Sequence, residues 1–387
     1  MRIKFLSKTQ LDRMAPLWEA LVPEGGFPGA TFTFDPADRD YDALCVYEDF
    51  PPDPGTGKVL HTERLACPRR RTMLITTEPG SIRLMGPHYM RQYGHIWTSV
   101  RYVDAGLDPE NGRVVDESLR NAFGNALPDS PVMRGQPLAL APPLRWFYGR
   151  DFEGTDHIGI DALSREHPDK RADLSTVTST KAMDHTVHKA RMGFVEALKS
   201  RLGEDFALYG RGFREVRDKA EAMAPYRYHV AIENHVQSGH HTEKLTDCFL
   251  AECLPFYFGD PDYASVYPAN AVVPIDITDL DGAERIIRET MAEREWERRL
   301  VAIREAKQRT LSLSNPLAQA AIWGSEQDST APGNDELGGI IHGRHSFRRA
   351  HPLRALEDLL ATRRFARTHI ADPLQGLDAL RDRVRCA

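Results

Sequence analysis

No stretch of this chain approaches the ~20 consecutive apolar residues that cross a bilayer, which excludes a helical membrane span. Cysteine is scarce. Cys45, Cys67, Cys248, Cys253 and Cys386 make an odd total of five, which argues against a disulfide framework and for buried thiols. An excess of charge of one sign is missing too: 50 Lys and Arg stand against 56 Asp and Glu, a net charge of −6, with no bulk attraction for nucleic acid or an anionic membrane. The opening run MRIKFLSKTQLDRMAPLWEAL lacks the unbroken apolar core of a signal peptide, so cytoplasmic residence is the expectation. Internal repeats and low-complexity tracts are absent. What remains is an ordinary globular balance, 41% hydrophobic and 27% charged, in 387 residues, enough for two domains.

Apolar runs punctuated by Pro and Gly predict short strands at 2–6, 41–50, 71–79 and 95–103, with a helix at 9–21. From 104 to 150 turn formers dominate, ending in PPLRWFYG, which reads as a surface excursion and linker with a boundary near 155–170. The second half alternates more cleanly. Strands are expected at 174–180, 206–210, 226–234, 254–259 and 271–276. Helices are expected at 186–202, 214–222, from Thr242, from 281 to about 310 as one long charged helix, and at 352–366. Alternation of this kind predicts an α/β chain with parallel sheets.

Residues 226–259, YRYHVAIENHVQSGHHTEKLTDCFLAECLPFYFG, are the most informative part. They place a polar loop at the carboxyl end of a strand and the start of a helix, where α/β proteins bind nucleotides and phosphates. Thr242 stands at the N-cap position, so backbone N–H groups should point outward. Lys244 in the first turn opposes the helix dipole, a cost that a bound anion would offset. Glu243 beside it suits a ribose diol. Both charges also fit a plain solvated first turn.

The run IEN, seven residues, then TEKL, a helix and a strand ending in Gly resembles the donor-binding motif of the α1,3/4-fucosyltransferases, family 10 of the glycosyltransferases. The matching residues are Glu233, Asn234, Thr242, Glu243, Lys244, Pro255 and Gly259, and the clear resemblance covers roughly 172–290. It implies a GT-B architecture, two Rossmann-like domains facing a central cleft. Residues 1–165 would receive the acceptor, 166–315 would hold GDP-fucose, and 316–387 would form a helical extension packing back on both. The resemblance assigns Asn234, Glu243 and Lys244 to the nucleotide sugar and Arg191, in HKARMGFVEAL, to the pyrophosphate. The alternative for Arg191 is an exposed helix charge. Where the family has tyrosine this chain has His240, which leaves room for another nucleotide sugar. A non-catalytic sugar-nucleotide binder is the alternative from a different class.

Inverting transfer needs one positioned carboxylate and cations for the departing diphosphate. Glu78, in TTEPGS at a strand end, is the candidate base, with Glu48 and Asp49 as substitutes. His185, His188, His240 and His241 lack metal-ligand spacing, and the DPD at 260–262 reads as a turn, so no metal or other cofactor is expected. Trp146, Phe147 and Tyr148 fit an interdomain plug or an acceptor-stacking surface. The expected partners are GDP-fucose and a glycan or glycolipid acceptor; nucleic acid is not among them, and peripheral contact with a membrane stays open.

Overall fold

The computed structural model describes residues 1–78, 82–98, 113–114, 143–180, 186–325, 339–369 and 372–386. It divides into two units, Met1–Pro143 with Pro316–Ala371, and Leu144–Asn315 with Asp372–Ala387.

The first unit is built on β1 (Arg2–Ser7), β2 (Thr31–Thr33), β3 (Ala43–Tyr47), β5 (Thr72–Thr76), β6 (His95–Thr98) and β7 (Arg113–Val114). They pair in parallel in the order β2-β1-β3-β5-β6-β7. β3 and β5 are buried along their whole length, as a parallel strand covered on both faces must be. Lys4 interrupts the apolar run of β1 and is itself fully buried; its ammonium meets Glu63 Oε2 at 3.0 Å and the carbonyls of Pro36 and Asp38. Glu63 lies on β4 (Thr62–Arg64), which pairs antiparallel with β13 (Ile340–His342).

The helices Pro316–Ser325, Arg344–Ala350 and Pro352–His369 belong to this unit. Asp358 accepts hydrogen bonds from the backbone N–H groups of His88 and Tyr89 and so caps the helix Pro87–Met90. A Cβ at Gly86 would lie 2.1 Å from the Asp358 carboxyl carbon, so only glycine admits that cap.

The second unit holds β8 (Ala172–Val177), β9 (Phe206–Tyr209), β10 (Tyr226–Ile232), β11 (Leu254–Phe258) and β12 (Val273–Pro274), parallel in the order β12-β11-β10-β8-β9. Leu174, Val195, Leu198, Phe206, Val230 and Phe256 lie in its core.

Several sequence expectations shift. The boundary falls between Pro143 and Leu144 rather than near 165, because Asp247 Oδ1 accepts the backbone N–H groups of Phe147 and Tyr148 and draws that segment into the second unit. Trp146 and Tyr148 are buried there. The 316–387 extension is divided as well: residues from Asp372 return to the second unit, where Pro373 and Gly376 bond the backbone of Val236. The single long helix is two, Leu280–Ala292 and Glu295–Leu313, broken at Arg294 with φ 55°. No glycine or proline signals the break. The second helix is not wholly solvated either, since Ala302, Ile303, Ala306 and Lys307 are buried and Lys307 meets buried Glu252. The polar helix expected at 214–222 is one turn, Ala220–Met223. His185, Pro79 and most of 104–142 lie outside the described residues.

In each sheet the chain leaves the first strand to one side and later returns to the other. The first unit reverses between β1 and β3, the second between β8 and β10. Ligands of open α/β sheets bind beyond the carboxyl ends at such reversals.

Candidate functional site

The reversal in the second unit brings together the ends of β8 and β10 and the helices that follow them. The helix His188–Leu202 follows β8 and carries Arg191 in its first turn. Arg191 Nη1 donates to Asn234 Oδ1 at 2.8 Å, and Asn234 O accepts the Val187 N–H at 3.0 Å, so two loop ends are tied across the reversal. Arg191 is 6% exposed, which overturns the exposed-charge reading, and burial pulls its pKa down against the pull of Glu233 and Glu243. Its Nε is buried with no hydrogen-bond partner among the described residues. The Nε groups of Arg83 and Arg344 are unpaired in the same way, but each of those guanidiniums also meets Asp49, whereas Arg191 has a neutral partner and keeps its charge for an acceptor.

The loop after β10 is closed by Glu233. Its carboxylate accepts the Thr242 N–H at 2.7 Å and the Thr242 hydroxyl at 2.6 Å, and lies 3.4 Å from Lys244 Nζ. Thr242 Oγ1 in turn accepts the Lys244 N–H, capping the helix Glu243–Leu250 as its sequence predicts. The helix start is thus less open than expected, because the cap uses part of the donor set. Gly259 is required by the same carboxylate: a Cβ there would come within 2.5 Å of Glu233 Cγ.

Lys244 Nζ is 3.2 Å from Glu243 Oε1, and Lys219 Nζ is 3.8 Å from the same oxygen. Burial pushes the Glu243 pKa up, but Lys244 and Lys219 outweigh it and bring it to about 2. Burial acts against the charge on Lys244, and Glu243 and Glu233 more than restore it, leaving its pKa raised. The site therefore holds full charges of both signs at neutral pH. Arg191, Lys219, Lys244 and Asp247 line one cavity of about 20 Å3 beneath Thr176 and Val230. That is room for a water molecule, not a nucleotide.

His240 is 7% exposed, and burial, with His241 and Lys244 beside it, lowers its pKa to about 4. It is a neutral imidazole at pH 7. Asp260 anchors the same loop by accepting the Gly239 N–H at 2.8 Å and meeting His241 Nδ1 at 3.2 Å. His188 is buried and bonds Thr186 in the turn that opens its helix.

Glu78 lies two residues past β5, one strand over from the reversal of the first unit, and Lys8 Nζ, just past β1, is 3.5 Å away. Arg83 meets Glu48 at 3.4 Å and Asp49 at 3.2 Å. Glu48 also accepts the Thr77 N–H and hydroxyl, and Asp49 the Tyr89 hydroxyl.

The structure thus gathers Arg191, Asn234, Glu243 and Lys244, sets His240 in the adjoining loop, and keeps Glu78 in the other unit. Sequence reasoning missed Lys219 and Asp247, which are 2.7 Å apart. An acid inside the apolar helix run LTDCFLAECL was the available signal, since a buried carboxylate demands a partner. It did not say which lysine. Among the described residues no group of three or more His, Cys, Asp or Glu is arranged to hold a metal ion.

Residues 168–289 match the family described as glycosyltransferase family 10 (fucosyltransferase) C-term. No curated protein sequence matches the chain. Among solved structures it resembles an α1,3-fucosyltransferase with GDP-fucose at 16% identity over 86% of this chain and 91% of that one, TM-score 0.42. The DNA-modifying enzyme β-glucosyltransferase follows at 9% identity over 83% and 99%, TM-score 0.41. Likenesses this weak carry no donor or mechanism across. Two α/β units of Rossmann type in one chain make the fold GT-B in type. The second unit carries the sequence signature of the C-terminal domain of glycosyltransferase family 10, and the enzyme class that signature gives is glycosyltransferase.

Proposed function

We propose that the chain transfers L-fucose from GDP-fucose to a hydroxyl of a glycan or glycolipid acceptor, with inversion. The observation that carries the reading is Arg191, a buried arginine with an orphan Nε, fastened to Asn234 inside a segment that matches the fucosyltransferase family. With Lys244 it supplies cationic donors for a diphosphate, which strengthen as negative charge collects on the leaving group. The cavity between them is too small for a nucleotide, so the donor would be met at its rim. Glu243, held ionised by its lysines, can accept from a ribose diol, while neutral His240 serves as an N–H donor or an apolar face.

An inverting displacement needs one base to take the acceptor proton, and no second carboxylate close by. Glu78 is the choice among the acids of the first unit. Its side chain is 37% exposed, whereas those of Glu48 and Asp49 are 2% and 1% exposed and committed to structural bonds. The arrangement can meet the leaving-group charge without a metal. A cytoplasmic setting suits the free, buried Cys45, Cys67, Cys248 and Cys253. No described helix is long and apolar enough to cross a membrane. Contact with a membrane bearing the acceptor belongs to the same reading, through Leu353, Leu356 and Leu360, which are exposed on the helix Pro352–His369.

The test is a pair of variants. Lys244→Ala should abolish GDP binding in calorimetry, and Glu78→Ala should keep GDP binding while losing transfer. Unchanged GDP affinity in the lysine variant removes the site assignment. The second reading, a different nucleotide sugar, is favoured by His240 alone. A thermal-shift comparison of GDP-fucose, GDP-mannose and a UDP sugar decides it, and preference for the UDP sugar ends the fucose proposal.

A further inference from the structure

A separate cavity lies in the first unit, with a volume of about 460 Å3, in the range of small-molecule sites. Arg69, Arg91 and Arg354 all line it, and they come from distant parts of the chain. Arg69 stands in the turn before β5, Arg91 ends the helix Pro87–Met90, and Arg354 lies in the first turn of Pro352–His369. Among the described residues none of the three guanidinium groups has a hydrogen-bond or ion-pair partner. Other arginines are matched by acids: Arg83 by Glu48 and Asp49, Arg217 by Asp151, Arg381 by Asp276. Here Glu357, the acid on the neighbouring turn, meets His88 Nε2 at 2.9 Å rather than an arginine. The apolar lining is Ile340, about half exposed, and buried Phe347, whose ring centroid is 5.3 Å from that of His351; Gln92 lines it too.

We infer that this cavity is a binding site for a small molecule bearing phosphate on a ring-sized body. Guanidinium forks pair with phosphate oxygens bidentately, and several unpaired cations around one hollow repel each other until an anion enters. The volume exceeds what a lone phosphate fills, and Phe347 and Ile340 offer a face for a ring to cover. The position also separates this site from the nucleotide chemistry proposed above. Arg69 precedes β5 and Arg91 precedes β6, so the pocket gathers residues at the amino ends of those strands, while Glu78 and Lys8 follow the carboxyl ends of theirs.

Calorimetry on the full chain at low salt tests the site, with inorganic pyrophosphate, a hexose 1-phosphate and GDP as probes. The proteins are the wild type, Arg91→Ala, Arg354→Ala and, as a control in the other unit, Lys244→Ala. Arg91 and Arg354 are exposed, so their replacement leaves the fold intact, and an unchanged Tm verifies it. The expected result is that hexose phosphate binds wild type and Lys244→Ala alike and weakens tenfold or more in each arginine variant, the loss of a charged hydrogen bond. Arg354→Lys should recover only part of the affinity, because an ammonium lacks the fork. Hexose phosphate binding tighter than pyrophosphate supports a ring-bearing ligand; equal affinity reduces the site to a phosphate subsite and overturns the ring assignment. Binding indifferent to both arginines, or no binding to wild type, overturns the proposal whole. Loss of GDP binding in Lys244→Ala with hexose phosphate binding retained leaves this site standing independently of the donor reading.

Discussion

At the reversal of the first sheet, Glu48 and Asp49 are each 1% exposed and both oxygens of each are engaged, by Thr77, Arg83, Tyr89 and Arg344. At the reversal of the second, Glu233 is equally buried and equally engaged, but Arg191 beside it is fastened to the neutral amide of Asn234, whereas Arg83 and Arg344 of the first each meet a carboxylate. The two units place buried acids at corresponding points of the same kind of sheet, and what differs is the partner of the arginine. Where each guanidinium meets a carboxylate, the charges are matched within the fold and make a frame. Glu48 shows the strain of that frame in its left-handed φ of 69°. Where the guanidinium is held by a neutral amide, its charge is left for an anion from outside. The comparison predicts that the second reversal responds to a diphosphate and the first does not.

Arg191→Ala is the most direct way to break it. It removes the orphan donor and the bond to Asn234 together, and GDP affinity should fall about a hundredfold, two charged hydrogen bonds' worth at the lower end of their range. Arg191→Lys should restore little, since a lysine cannot hold Asn234 and an anion in one plane. GDP binding to Arg191→Ala at wild-type strength would mean that this unmatched charge has no functional content.

The next effect separates frame from site. Glu233→Gln weakens the closure of Thr242 and leaves Lys244 short of a counter-charge, and Glu48→Gln weakens the hold on Thr77 and Arg83. Each should cost roughly 2–3 kcal/mol of stability in urea unfolding, the range for a buried charged hydrogen bond. Only Glu233→Gln should also weaken GDP. If Glu48→Gln lowers GDP affinity as much, the acids of the two reversals are not different in kind.

Much of the second unit was legible because local signals and tertiary demands agree there. Thr242 caps its helix as a threonine before an apolar run should, and β8, β10 and β11 are short apolar runs bounded by turn residues. The Arg191–Asn234 contact was not legible from spacing, being 43 residues long in sequence; only the family resemblance placed the two together. Lys219 was invisible, since a lysine in a polar stretch looks solvated until the fold brings it to Asp247. The domain boundary failed for a related reason. Residues 144–148 read as linker by composition, but two backbone N–H groups held by a distant carboxylate decide where they pack. The break at Arg294 carried no sequence signal at all.

The smallest effect concerns acid. Burial lowers the pKa of His229, bonded to Ser175, to about 3 and that of His240 to about 4, both in the second unit. Each is neutral in the fold and takes up a proton more readily unfolded, near the ordinary value of 6.5. The unfolded state therefore binds more protons below that pH, so this stability is complete above 6.5 and drains away as pH falls toward 4 and then 3. One unit below 6.5 the loss is about 1.4 kcal/mol per histidine. The carboxylates of the first unit that bear lowered pKa values, Glu63, Asp38 and Asp53, begin to lose theirs as pH falls through their ordinary values of 4.5 and 3.8. Between pH 6.5 and 4.5 the two fully buried histidines load the second unit; in the first, His342 and His345 are lowered too, but are only partly buried. His240→Tyr removes one of the two titrations, so its thermal unfolding midpoint should depend less on pH across that window than wild type's. An unaltered slope would place the His240 proton outside the folding equilibrium, and the histidine response of the second unit would then rest on His229 and His157.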